Sequence, residues 1–228
     1  MKRITDIGVA AIIVGIVFAF AFIPAALQGF NTLTTEHGML MSFGKFAILA
    51  TFGEMLALRI RKGHYAEKGF GILPRMLVWG ILGMGIAMSM MIFKAGTVQF
   101  LNYLGLEHAA DWFAGNLSWG KLFVAFCVSV LMNSIFAPVF MTLHKITDIH
   151  IQETGGTLRG FFSRPIAFQN ILANKINWNI QWGFIFKKTI PLFWYPAHTI
   201  TFLLPGNYQV LFAAALGVVL GLILSIKK

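Results

Sequence analysis

The residues most able to do chemistry in this chain are ionisable or polar side chains standing inside long apolar runs. Lys45 and Glu54 share one such run, Met39 to Leu58. Nine residues, two and a half helical turns or about 13 Å, separate them, too far for a direct bond, and they read as lying on roughly one face. An ionisable group at membrane depth is costly and marks a pathway or a binding site by default. Fixed charges of that kind bias which ions or solutes a pore accepts. Asn133 and Ser134 precede Pro138 by about one turn, and His198 and Thr199 follow Pro191 and Pro196. A proline frees a carbonyl one turn back and bends its helix, and the exposed backbone is tolerated where the helix lines a polar cavity. Lys45, Glu54, Asn133, Ser134, His198 and Thr199 are therefore the expected pore-lining or polar intramembrane residues, with Pro138, Pro191 and Pro196 as helix-bending positions.

Other chemistries find little support. His144 and Asp148 share a helical face, but His150 does not join them as a third ligand, and paired-histidine protease motifs are absent. No nucleophile elbow, Walker loop or Rossmann glycine motif is present. The reading is of a non-enzyme with no metal and no cofactor. The lone Cys127 lies in an apolar run, which excludes an intramolecular disulfide and suits a buried thiol.

The elements that must position these residues follow from composition. Of 228 residues, 57% are hydrophobic and 11% charged, against about 25% charged in an average soluble domain, and the mean hydropathy is +0.75. That balance excludes a soluble enzyme, and the 23 Phe and 6 Trp exclude disorder. A helical span needs about 20 mostly apolar residues. Six stretches qualify or nearly do: 7–29, 39–58, 72–93, 122–143, about 190–204, and 208–226. The fifth is short and carries two prolines, so it is kinked or starts earlier, near Trp182. The fold class is thus all-α: a single polytopic transmembrane helix bundle over 1–228, with about six spans.

Basic residues set its orientation. With both termini inside, every Lys and Arg except Lys45, Lys94 and Lys121 falls on the inner side. The net charge of +10 is then a topological signal with some attraction to anionic headgroups. No basic stretch with interleaved aromatics on a soluble fold suggests nucleic acid. The expected partners are the lipid bilayer and small polar solutes or ions, and the expected location is a bacterial cytoplasmic membrane. Two connections are long enough for structure of their own: an outer interfacial segment, 94–120, and an inner amphipathic loop, 144–181. In the last span, Ala213, Gly217, Gly221 and Ser225 recur every four residues, a stripe that lets helices approach closely, either within the bundle or in a homo-oligomer.

Read in order, several features resemble the family of the small peroxisomal membrane protein and the mitochondrial inner-membrane protein linked to mitochondrial DNA depletion. They are Arg75 with the glycines that follow it, Phe100 to Tyr103, Phe136-Ala137-Pro138, and Pro205-x-x-Tyr208-Gln209 ahead of a final helix. The resemblance covers about 38–228. Met132 and Asn133 stand where the family has an acid and a glutamine, Gln209 replaces a basic residue, and the first span is additional to the family's four. The resemblance implies a pore permeable to small solutes or ions. A non-transporting scaffold or assembly factor, acting through the inner loop and the helix-packing faces, accounts for the same residues without a pore.

Overall fold

The computed structural model describes residues 2–226, and side chains over 4–223. Lys227 and Lys228 lie outside the described residues, as do the side chains of Lys2, Arg3 and Ser225. Every regular element among the described residues is helical. Five helices are long and apolar enough to cross a membrane: 4–22, 38–62, 72–103, 119–153 and 206–223. The chain is an integral membrane protein.

The first apolar stretch is two helices, α1 (Lys2–Phe22) and α2 (Pro24–Glu36), and not one running to Gly29. Ile23 between them is extended (φ −111°, ψ 97°), because the ring of Pro24 excludes the helical conformation from the residue before it. The chain reverses at His37 into α3 (Gly38–Lys62), against which α2 packs. Gly63 ends α3 in the left-handed conformation (φ 81°), donating its N–H to the Arg59 carbonyl. Arg59, Arg61 and Lys62 in the last turn complement the helix dipole.

The third apolar stretch, α4 (Ile72–Tyr103), continues ten residues past the expected end at Phe93, so part of the expected outer segment is helix. Only a short turn and α5 (Ala109–Ala114) separate it from α6 (Trp119–Glu153), whose start is capped by the Ser118 hydroxyl. α6 runs unbroken through Pro138 and absorbs the first quarter of the expected inner loop, including His144, Asp148 and His150. The remainder forms α7 (Leu158–Phe161) and α8 (Phe168–Asn174).

The fifth apolar stretch is helical from Trp178 to Leu203, but in three registers: α9 (Trp178–Ile180), a π-helical segment (Gln181–Trp194) and α10 (Tyr195–Leu203). The Tyr195 N–H and the Thr189 hydroxyl both reach carbonyls five residues back, those of Ile190 and Phe184. The wide turn holds Pro191, which has no N–H to offer a tighter ladder. This stretch is absent from the five spans because no single helix within it has the length. α11 (Gly206–Ile226) closes the bundle.

α3 packs against α4 on one side and α11 on the other, α4 against α6, α6 against α10 and the π-helical segment, and α10 against α11. Small residues set the closest approaches. A Cβ on Gly83 would lie 2.4 Å from the Cβ of Phe46, and one on Gly53 would lie 2.9 Å from the Cα of Val218. The four-residue stripe of α11 divides on this point. Gly221 sits against the Gly53 backbone and Ala57, and Ala213 is buried. Gly217, expected to pack, has open space where its Cβ would be.

The buried core, including Met90, Leu101, Val124, Val128 and Phe202, fills the end of the bundle where α4 finishes and α6 begins. The other end, where α3 finishes and α4 begins, carries Arg59, Arg61, Lys62, Lys68 and Arg75 and is called the basic end below. At Gly83, Ala substitution should cost about 1–3 kcal/mol of stability through overpacking. Gly85→Ala, with nothing within 4 Å, should hold stability or raise it by up to about 1 kcal/mol through helix propensity. Unfolding of both variants in one detergent compares them, and equal stability would show that the α3–α4 approach is not tight.

Candidate functional site

The site begins with spacing on two helices. Arg75 and Trp79 are four apart on α4, and His144 and Asp148 four apart on α6, so each pair presents one face. Both faces turn toward Glu54 on α3. The Arg75 guanidinium pairs with the Glu54 carboxylate and with that of Asp148, joining three helices. Its Nε donates to the Phe70 carbonyl at 2.7 Å, and its head lies 4.6 Å from the centre of the Phe70 ring. Trp79 Nε1 donates to Glu54 Oε1 at 2.8 Å, and His144 Nε2 lies 3.1 Å from the same oxygen. The Trp79 and His144 rings are 4.3 Å apart. Arg75 is 5% exposed, so its charge is satisfied by protein rather than by water.

This cluster forms part of the wall of a cavity of about 1140 Å³. Arg61, Lys62, Lys68, Lys145 and Gln152 surround it at the basic end. Deeper in the bundle its walls are Phe46, Ile86, Met132, Asn133, Trp194 and His198. From Gln152 to Met132 it follows α6 for 20 residues, about 30 Å at 1.5 Å per residue. The dry core closes it beyond that depth, so it is open from the basic end and blind at the other. At the rim Glu67 accepts from Lys62 and lies beside His64, and those two contacts, with Lys62 the stronger, hold its carboxyl below the usual range.

Of the expected site residues, Glu54, Asn133 and His198 line this cavity. Asn133 is 3% exposed and donates to the Ser129 carbonyl at 2.8 Å, while the Ser129 hydroxyl donates to the Tyr195 carbonyl at 2.7 Å. His198 stacks on Trp194 with centroids 5.1 Å apart. The other three do not reach it. Two and a half turns place Lys45 and Glu54 on opposite faces of α3 rather than on one, and Lys45 is turned toward α2. There it donates to the Thr34 hydroxyl at 3.0 Å and lies 4.5 Å from the centre of the Phe30 ring. Ser134 is exposed and shares a 2.6 Å hydrogen bond with the Tyr195 hydroxyl. Thr199 donates to the Tyr195 carbonyl at 2.7 Å, on the side of α10 away from the cavity.

Glu54 does not pair with the basic residues that end its own helix. Arg59 lies about 140° round the helix from it and binds Asp6 of α1 instead, with Nε at 2.8 Å and the second nitrogen at 2.5 Å. Arg75 and Trp79 were missed as site residues. The i,i+4 match between them and the His144–Asp148 pair was the available signal, but nothing in the sequence brings those two faces together. His150 turns away to the Phe161 carbonyl at 2.9 Å. Among the described residues no group of three His, Cys, Asp or Glu side chains could hold a metal ion.

No known protein family, characterised protein or solved structure matches this chain.

Replacing Arg75 by Met leaves Glu54 and Asp148 without their shared cation. Removing one partner of a buried pair costs about 3–5 kcal/mol, and Arg75→Met should lose that much stability in detergent. Glu54→Gln keeps an acceptor for Trp79 and leaves Arg75 bound to Asp148, and should cost less. An Arg75→Met protein as stable as the parent would show that the cluster does not hold the three helices.

Proposed function

We propose that the protein is a passive membrane channel or permeability protein for small solutes or ions, with the cavity as its inner vestibule. The observation that carries this reading is the cavity's reach. It enters at the basic end and follows α6 for about the thickness of a bilayer's hydrocarbon core, about 30 Å. Its wall changes along the way from charged to mixed polar and aromatic, ending at Asn133, Trp194 and His198. The blind end corresponds to a closed state, in which the contacts of Met90, Val128 and Phe202 form the barrier.

In this reading the chain crosses a bacterial cytoplasmic membrane six times, with both termini inside. The helical run 178–203 is the fifth crossing, and its π-helical register lets it bend round the vestibule. The pairing of Asp6 with Arg59 and Tyr65 supports a start for α1 at the basic end. The basic end then faces the cytoplasm, as the distribution of Lys and Arg favours. The likeness to the peroxisomal and mitochondrial family points to the same activity. The scaffold alternative is weakened at its helix-packing face, because Gly221 is packed inside the bundle on Gly53.

Gly217 provides a test, because its missing side chain borders the cavity and meets nothing within 4 Å. Liposomes containing purified protein should release small polar solutes or carry current. Gly217→Phe should reduce that flux at least tenfold without unfolding the protein. Lys45→Ala should leave it unchanged, because Lys45 faces α2. Absence of flux from folded, inserted parent protein across ions and small polar solutes would overturn the reading.

A further inference from the structure

Two helices that line the cavity do not pack on each other, and this follows from how the bundle is joined. α10 packs against α11, but the π-helical segment before it packs only on α6, α9 and α10. Toward the basic end, therefore, the π-helical segment and α11 diverge. The same cavity is nevertheless lined from both: by Gln181, Ile185 and Thr189 on one side, and by Gly217, Leu220 and Gly221 on the other. A cavity lined by two helices whose backbones stay apart leaves room for a slot between them in the side of the bundle. Its outer flanks are apolar and exposed, with Trp182 and Phe184 on the π-helical segment and Val219 and Ile223 on α11. Among the described residues no helix backbone packs across it: α2 rests on α3 and α11, and α1 packs on α2 and reaches Arg59 of α3 and Tyr65 through Asp6.

The charge at the basic end suits one kind of occupant. Arg61 and Lys68 are exposed cavity-lining cations, and among the described residues neither meets a carboxylate. Lys145 is held only loosely, 3.9 Å from an Asp148 carboxylate that already pairs with Arg75. Gln181, 6% exposed, lines the cavity with an amide nitrogen that has no hydrogen-bond partner. A buried donor without an acceptor is uncommon enough to require an explanation. Below these groups the wall is apolar, with Phe136, Ile185 and Leu220.

We infer that this slot is a binding site for an anionic membrane lipid, entering sideways from the leaflet at the basic end. The headgroup phosphate lies among Arg61, Lys68 and Lys145, and an acyl chain passes between the π-helical segment and α11 into the cavity. Basic pockets between membrane helices recognise acidic headgroups by this combination of charge and apolar contact. The volume of about 1140 Å³ exceeds the roughly 300–1,000 Å³ of an ordinary small-molecule pocket and leaves room for an acyl chain. The inference does not rest on the permeation reading, because lateral entry needs no path to the blind end.

Native mass spectrometry of the detergent-purified chain tests it, with dioleoyl phosphatidylglycerol and dioleoyl phosphatidylcholine as probes. One phosphatidylglycerol should be retained at least tenfold more strongly than phosphatidylcholine. Arg61→Ser with Lys68→Ser should abolish that preference, while Lys187→Ser with Lys188→Ser, basic residues outside the cavity lining, should preserve it. Gly217→Phe should displace the lipid by filling the slot, and Gly217→Leu serves the same purpose if the larger substitution does not fold. Equal retention of the two lipids, retention undiminished by either Gly217 substitution, or displacement by excess glycerol phosphate would each overturn the inference. Lipid retention is read in detergent and solute flux in liposomes, so the two readings can fail separately.

Discussion

Arg75 is the residue on which the basic half of the bundle depends. In a membrane interior there is no bulk water to satisfy an ion, so a guanidinium there must find carboxylates or carbonyls in the protein. Arg75 finds the side chains of Glu54 and Asp148 and the backbone of Phe70. Each lies on a different segment, so α3, α4, α6 and the α3–α4 loop are tied at one point. Trp79 and His144 complete the shell of Glu54. Toward the opposite end the same helices meet in apolar contact around Met90, Val124 and Phe202. The cavity lies between these two ties, one ionic and one dry.

Why a cavity survives there follows from the fifth helical run. α10 makes ordinary helical contacts with α6 and α11, and His198, Thr201 and Phe202 are buried in them. Before it, Pro191 sits in a π-helical register that widens the helix and carries it away from α11. The bundle is closed at one end and splayed at the other. Gly217, with no side chain to fill the gap, leaves the space open, while Gly221 one turn on lies within van der Waals reach of Gly53 and Ala57 on α3. One stripe of small residues thus does two different things, according to what its neighbours leave beside it.

Much of the fold was legible from apolar run length alone. Four of the stretches read from the sequence correspond to α3, α4, α6 and α11, and the fifth starts earlier than its apolar run, as a helix from Trp178. The errors were local and have identifiable causes. The break at Ile23 comes from Pro24, and the overrun of α4 past Phe93 and of α6 past Leu143 comes from amphipathic sequence that continues a helix beyond its apolar core. Of the site, Glu54, Asn133 and His198 were legible because each is polar where polarity is costly. Lys45, Ser134 and Thr199 carried the same signal, yet are satisfied by Thr34 and by Tyr195 instead.

By itself the sequence determined that the chain is helical and membrane-embedded and which of its ends is basic, because apolar run length and the placement of Lys and Arg are local properties that lipid and water read directly. It also determined that Arg75 and Trp79 share a face, and that His144 and Asp148 share another, since helical spacing requires it. Only the tertiary structure decided that both faces meet at Glu54, that Lys45 turns to α2, and that the π-helical segment stands off from α11 to leave a cavity. Those outcomes depend on which helices become neighbours. Contacts between residues 21 and 90 positions apart, such as Glu54 with Arg75 and with His144, are set by packing geometry and leave no periodic trace in the chain.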